Sequence, residues 1–359
     1  MKRASRIVVL LSLIVIILSG PGWSYRDYFT PEQKAQLAKI QTVNVEVIAL
    51  TDKGSVEPAA IVEVVARRMA ELGYTIVQEA SKPADVVFKV KCEQKKTWEG
   101  TTVAGGDADL PDAPSRLWKG PACQLTYLLG GMKIKWQKEV RTDYQDTTEA
   151  ALNANRAEAG AFVMTKLKEQ LEQYDFPLFI TAEWGQPDRL LKLLDVAGTD
   201  QIRKVRIISL LGDMQADEAL PRIKEVLKDR DLAKQAAVAL GNLGKEGIPV
   251  LVEILKKSQS MELQAAAAKG LGQLGGTHGD SSVVPPLLEK LQKADTDWIV
   301  LTEVAWSLGK IPDKRSIQPL YELDKRLQLM REPDNQQLKK LKEAVYWAIK
   351  QCDTWDQYS

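Results

Sequence analysis

Histidine is nearly absent from this sequence, since His278 is the only one among 359 residues. One imidazole cannot build a multi-histidine metal site, and no combination of serine or cysteine with histidine and acid indicates nucleophilic catalysis. Phosphate-binding loops are lacking too, because Gly105-Gly106 does not stand between a strand pattern and a helix pattern. The residues therefore predict no catalytic site, no cofactor and no metal.

An excess of either charge is also missing. The chain has 49 basic and 48 acidic residues and a net charge of +1 at pH 7. Nucleic-acid-binding proteins present basic surfaces to the phosphates, so this balance argues against a nucleic-acid partner. Hydrophobic residues make up 45% and charged residues 27%, which is ordinary for a folded chain of this length with room for two domains.

Long apolar runs are limited to residues 7–18, which are too few to span a bilayer comfortably. Three basic residues precede this run: Lys2, Arg3 and Arg6. Gly20-Pro21-Gly22 and Ser24 follow it, as in the cleavage region of a secretory signal. We expect residues 1–24 to be a signal peptide and the protein to be periplasmic or secreted, with no membrane span after cleavage. An uncleaved anchor is the alternative. No cysteine follows the run, so a lipoprotein anchor is excluded.

Residues 38–175 carry alternating strand and helix patterns that predict an α/β domain with one mixed sheet and its helices on one side. The expected strands are Thr42–Leu50, Tyr74–Gln78, Ala84–Lys95, Ala122–Leu129 and Met132–Val140, and the expected helices are Glu57–Leu72 and Glu149–Tyr174. Gly130-Gly131 predicts a two-residue hairpin turn that pairs Leu129 with Met132 and Leu125 with Trp136. The element order loosely resembles the small α/β domains of bacterial envelope assembly proteins, such as the amino-terminal domain of TolB, although no motif supports that resemblance.

Two of the three cysteines fall on the inward face of neighbouring strand patterns. If those strands are antiparallel neighbours, Cys92 and Cys123 meet, and we predict a disulfide between them in an oxidising compartment. Two buried free thiols are the alternative. Cys352 is left without a partner within the chain.

A stretch rich in glycine, proline and aspartate, Thr97–Gly120, separates the two cysteine-bearing strands. A loop of this length is usually functional or disordered. Contact with a partner is one interpretation and plain disorder is another. A calcium site at Asp107, Asp109 and Asp112 is a third, but their spacing fits no known calcium loop.

Beyond residue 186 the sequence repeats itself. Four apolar helix patterns end in Leu-Gly, at Gly212, Gly244, Gly275 and Gly309, with spacings of 32, 31 and 34 residues. Four prolines open the shorter apolar helices: Pro221, Pro249, Pro286 and Pro319. A proline is tolerated in the first helical turn, and we expect each Leu-Gly glycine to be a left-handed helix cap. Self-similarity at this period is typical of a stacked array of helical pairs.

These units resemble HEAT repeats of the short type that also occurs in phycobilin lyases. The resemblance implies an all-α solenoid over 187–352, made of about five repeats at 187–213, 216–244, 245–276, 281–311 and 313–352, after a linker at 176–186. It also implies a concave surface formed by the second helix of each repeat. Aligning those helices places six residues on the expected interaction surface: Arg206, Asn242, Lys269, Gln273, Glu303 and Trp306. The alternative for Trp306 is a core position in the fourth repeat.

Three functions are compatible with these patterns. The first is an exported scaffold of the bacterial cell envelope that binds protein partners through the repeat array and the α/β domain. The second is an enzyme of lyase or hydroxylase type, although the iron site of the HEAT-like deoxyhypusine hydroxylase needs repeated His-Glu pairs that this sequence lacks. The third is a structural envelope component that only oligomerises.

Overall fold

The computed structural model describes residues 29–78, 83–101, 115–134, 136–142, 144, 149, 152–154, 158–330 and 335–358. The signal segment 1–24 lies outside these residues, as do Asp107, Asp109 and Asp112. The chain divides into two compact units, one made of residues up to 66 with 74–170 and the other of 67–73 with 171–359.

The first unit contains a mixed sheet. After helix α1 (Pro31–Leu37), the order is β1 (Thr42–Thr51), β2 (Gly54–Val56), helix α2 (Ala59–Ala70), β3 (Thr75–Val77), β4 (Val86–Thr101), β5 (Ser115–Leu129), β6 (Met132–Lys133), β7 (Lys138–Arg141) and helix α3 (Ala159–Gln173). Strand β1 pairs in parallel with β3 and β4 and antiparallel with β2, while β5 pairs antiparallel with β4, β6 and β7. The predicted mixed sheet with accompanying helices is therefore confirmed.

One face of the sheet is buried and the other is open. Alternate residues of β4 and β5, such as Phe88 and Tyr127, are fully buried, as are Val65 of α2 and Val163 of α3. Successive side chains of a strand point to opposite faces, so the residues between them lie on the open face. There Ile48 is 52% exposed.

The cysteine-bearing strands are antiparallel neighbours, as the disulfide prediction requires. Cys92 lies directly opposite Cys123 in the β4–β5 ladder, and the structure joins the two in a disulfide. Both residues are fully buried on the covered face of the sheet. Cys352 is a buried free thiol.

Several local expectations for this unit are wrong. Strands β4 and β5 continue past the expected ends, so Thr97–Thr101 and Ser115–Gly120 form a ladder instead of a loop. Leu125 pairs with Lys138 and not with Trp136, because the hairpin ladder stops after Lys133 and resumes two residues later in register.

The two-residue slip is even, so it keeps the inward face, and Val140 is buried opposite Cys123. Met132, expected to face inward, is 62% exposed at the end of the short β6 strand. The expected long helix Glu149–Tyr174 is shorter, since α3 begins at Ala159. Gly160 explains this close fit, because a Cβ there would lie 2.9 Å from Thr51 Cγ2 of β1.

The second unit is helical throughout its described part after residue 171. Its elements are α4 (Phe176–Glu183), α5 (Pro187–Leu194), α6 (Gln201–Asp213), α7 (Leu220–Val226), α8 (Ala233–Asn242), α9 (Ile248–Lys257), α10 (Met261–His278), α11 (Val284–Gln292), α12 (Trp298–Lys310), α13 (Lys314–Gln328) and α14 (Gln336–Tyr358). The segment 176–186, which the sequence suggests as a linker, holds α4, and its Phe176, Leu178 and Ile180 are fully buried. That segment is part of the helical packing and not a connection outside it.

The prolines behave as expected with one exception. Pro221, Pro249 and Pro286 lie in the first turns of α7, α9 and α11. Pro319 lies inside α13, which begins five residues earlier at Lys314. Asp313 provides the reason, because its side chain caps the backbone N–H of Arg315 and starts the helix before the proline.

The Leu-Gly glycines mostly have a different role from the predicted one. Gly244 has the positive φ of a left-handed cap, +104°. Gly212, Gly275 and Gly309 instead lie inside α6, α10 and α12. A Cβ at Gly309 would lie 2.3 Å from a ring carbon of Trp347, which is closer than any real Cβ contact. These three glycines therefore allow helices of adjacent repeats to approach closely.

Candidate interaction surface

The second helices of the repeats form a continuous row. Helices α6, α8, α10, α12 and α14 each pack against the next, while α7, α9, α11 and α13 pack behind them. The row is held together by small residues. A Cβ at Gly241 of α8 would lie only 2.1 Å from the carbonyl oxygen of Gly270 in α10. Such close contacts bring the backbones together and leave the larger side chains on the outer side of the row.

The contact between α10 and α12 is fixed by a buried hydrogen bond. The Ser307 hydroxyl donates to the carbonyl oxygen of Ala268 at 2.9 Å, and Ser307 is 1% exposed. Gly272 makes room for it, since a Cβ there would lie 2.3 Å from Ser307 Oγ. This contact places the next residue of α10, Lys269, on the outer side of the row close to the exposed positions of α12.

We call the outer side of this row the second-helix face and define it by six residues: Asn242, Lys269, Gln273, Glu303, Trp306 and Lys310. Lys269 and Lys310 are exposed, and the other four are half-exposed. Five of the six are residues that the sequence alignment of repeats brings together. Lys310 was missed because the alignment stopped at the Leu-Gly motif, although it follows Trp306 by one helical turn.

Trp306 gives this face an aromatic surface. Its ring centroid lies 5.0 Å from that of Trp347 in α14, with the planes tilted by 48°. Tilted aromatic pairs at this distance attract each other beyond their apolar burial. Trp306 is therefore held in place by α14 while part of its surface remains open, and it is not a fully buried core residue.

The charges on the second-helix face are not balanced locally. Partial burial lowers the pKa of Lys310, the nearby positive charge of Lys269 lowers it further, and Glu303 acts in the opposite direction. Among the described residues, none of these three side chains forms an ion pair. The face consequently presents two cations and one carboxylate beside an indole ring.

Arg206, the remaining expected interaction residue, is engaged within the second unit. Its guanidinium forms an ion pair with Asp175 and lies over the ring of Phe179, 5.8 Å from the centroid. Asp175 and Phe179 come from the segment that the sequence suggests as a linker. Arg206 therefore stabilises the packing of α4 on α6 instead of standing free for a partner.

Asp175 is the centre of an ionic cluster that sequence reasoning missed. The carboxylate is buried, and it accepts Arg68 at 3.0 Å and Arg203 at 3.2 Å in addition to Arg206. All of these residues belong to the second unit. The only sequence signal is Asp175 before Phe176-Pro177, a pattern typical of a helix start. Its three arginine partners are distant in sequence and could not be named from it.

Potential sites for chemistry are few in the described part of the chain. There, no group of three or more histidine, cysteine or acidic side chains is placed to hold a metal. His278 is exposed in the last turn of α10. A search of the same residues for an apolar helix long enough to cross a bilayer also finds none.

Comparison with known families supports the helical interpretation. The family model for HEAT repeats matches residues 248–333, which run from the start of α9 to just beyond α13. No curated protein matches the chain. The matched residues include Lys269, Gln273, Glu303, Trp306 and Lys310, so most of the second-helix face lies in this part. The chain therefore combines an α/β unit with a helical region that is similar to HEAT repeats.

Proposed function

We propose that this protein is an exported scaffold of the bacterial cell envelope, and that its second-helix face binds a protein partner. The observation that carries the proposal is Trp306, which is rigidly held yet half-exposed in a row of packed second helices. Tryptophan is enriched among the residues that supply most of the energy of protein interfaces. HEAT repeats are commonly interaction scaffolds, which supports the same conclusion.

The α/β unit would supply a second contact surface through the open face of its sheet. That face carries ion pairs such as Lys89 with Glu46, at 2.9 Å, around the exposed side chain of Ile48. A mixed polar and apolar surface of this kind is typical of interfaces that form and separate.

Export is proposed from the basic, apolar and small-residue order of residues 1–24. Fractionation of cells that express the full chain, with intact mass measurement of the product, tests it. We expect a product in the periplasm or medium that has lost about the first 24 residues. A full-length product confined to the cytoplasm would contradict export but leave the binding proposal open.

Partner binding is tested by affinity capture from a periplasmic extract, with quantification of each captured protein. We expect Trp306→Ala to lower capture of the specific partner by roughly tenfold, because loss of an interface anchor costs on the order of 1–2 kcal/mol. Tyr321→Ala is the matched control, since Tyr321 is a 40% exposed aromatic on α13, outside the row of second helices. Equal capture by wild type and Trp306→Ala would refute the proposed site.

A further inference from the structure

We infer that the second-helix face recognises an acidic peptide segment, with a carboxylate bound between Lys269 and Lys310 and an apolar side chain packed on Trp306. This inference rests on the proposed function and names the chemistry of the partner. It starts from the charges of the face, since the aromatic ring alone does not distinguish one partner from another.

The two lysines of the face differ from other exposed lysines of the second unit in having no acidic partner among the described residues. Lys256 of α9 pairs with Glu289 at 2.6 Å, and Lys257 pairs with Glu253 at 3.1 Å. Neither Lys269 nor Lys310 forms such a pair. Their mutual repulsion is reflected in the lowered pKa of Lys310, to which partial burial contributes most.

Placing two like charges on adjacent helices costs stability unless something offsets it. The single carboxylate of Glu303 faces both, so the three side chains together keep one net positive charge. A ligand carboxylate between the two ammonium groups would relieve their repulsion and make charge-assisted hydrogen bonds. The partial burial of Lys310 strengthens such contacts, because solvent screening is weaker there.

Glu303 narrows the choice further. It precedes Trp306 by one turn and Lys310 by two, so the three lie along one side of α12. A ligand with acidic groups at every position would place one against Glu303, and this like-charge contact is unfavourable. The arrangement therefore suits a segment in which acidic and apolar residues alternate, with the apolar residue over the indole ring.

The test uses three fluorescein-labelled peptides and the full chain as the cell processes it, with binding followed by fluorescence anisotropy. The probes hold three copies of Glu-Phe-Glu-Ser, of Gln-Phe-Gln-Ser or of Lys-Phe-Lys-Ser. We expect the acidic probe to bind at least tenfold more tightly than the other two. Its binding should weaken severalfold between low and high salt, because exposed charge pairs are screened.

Two double variants decide whether the lysines are responsible. Lys269→Glu with Lys310→Glu should weaken binding of the acidic probe by at least tenfold. Lys257→Glu with Lys325→Glu removes the same charge from exposed positions on α9 and α13 and should change binding by less than threefold. Circular dichroism checks that both variants keep the helical content of the wild type.

Equal binding of the acidic and neutral probes, or equal loss in both double variants, would overturn the inference. Affinity capture from the periplasmic extract separates this failure from that of the proposed function. If Trp306→Ala loses the partner while the Lys269 and Lys310 double variant retains it, the face binds a protein but does not select acidic groups. If neither variant loses the partner, the proposed function fails as well.

Discussion

The substitution Gly241→Ala tests the close packing of the repeats most severely. The added methyl would lie 2.1 Å from the carbonyl oxygen of Gly270 and 2.5 Å from its carbonyl carbon and Cα. Ordinary contacts of a Cβ atom begin near 3.4 Å, so the backbone of α10 has to move by more than 1 Å. No flexible side chain can give way, since all three atoms are backbone.

Overpacking of this kind typically costs 1–3 kcal/mol, and the rigid backbone puts Gly241→Ala at the upper end. Alanine in place of glycine inside a helix gains about 1 kcal/mol, so a net loss of roughly 2 kcal/mol is expected. Gly212→Ala is the matched control, because its methyl would lie 3.0 Å from Ala239 Cα and needs a shift of only a few tenths of an ångström. The helix gain should nearly offset that shift.

Urea unfolding of both variants, followed by circular dichroism at 222 nm, measures the difference. We expect a clearly lower midpoint for Gly241→Ala and a midpoint within about 0.5 kcal/mol of wild type for Gly212→Ala. If Gly241→Ala is as stable as wild type, the backbones do not approach as described, and the reasoning about the row of second helices is refuted.

Three further predictions concern ionic contacts and the disulfide. Hydrogen bonds from Ser282 and the ion pair with Lys245 lower the pKa of Asp280 to about 2. Asp280→Ala should therefore cost about 1 kcal/mol of unfolding free energy at pH 7 after allowance for screening, and the difference should shrink as the pH falls from about 4 to 2. Asp175→Asn leaves three arginines without their buried carboxylate and should cost about 3 kcal/mol in the same urea assay, whereas a loss below 1 kcal/mol would contradict the buried cluster. Alkylation of the denatured, unreduced protein should label Cys352 alone by mass spectrometry, and three labels would contradict the Cys92–Cys123 disulfide.

The features that the sequence predicted well depend on local periodicity. Alternation of apolar residues placed Cys92 and Cys123 on one face of their strands, and the antiparallel ladder brings them directly opposite each other. The spacing of Leu-Gly motifs and prolines likewise predicted the helical pairs. Both patterns repeat with the period of the element itself, so a single sequence is enough to recognise them.

The features that it predicted poorly depend on contacts between distant residues. A glycine after leucine reads as a helix cap, but at Gly309 the close approach of Trp347 decides its role and keeps it inside the helix. The buried Asp175 gathers arginines from two other helices, one of them more than a hundred residues away. Nothing in the local pattern announces such a partner, which is why the segment around Asp175 was taken for a linker.

The account as a whole depends on the claim that a partner occupies the second-helix face in the cell. Replacement of Trp306 by the photo-crosslinking residue p-benzoylphenylalanine, with the same replacement of Tyr321 as control, tests this claim in living cells. After irradiation, the account predicts an adduct between the chain and a different protein at position 306 and none at position 321. An adduct at 321 alone, or one whose mass shows only a second copy of this chain, would contradict it.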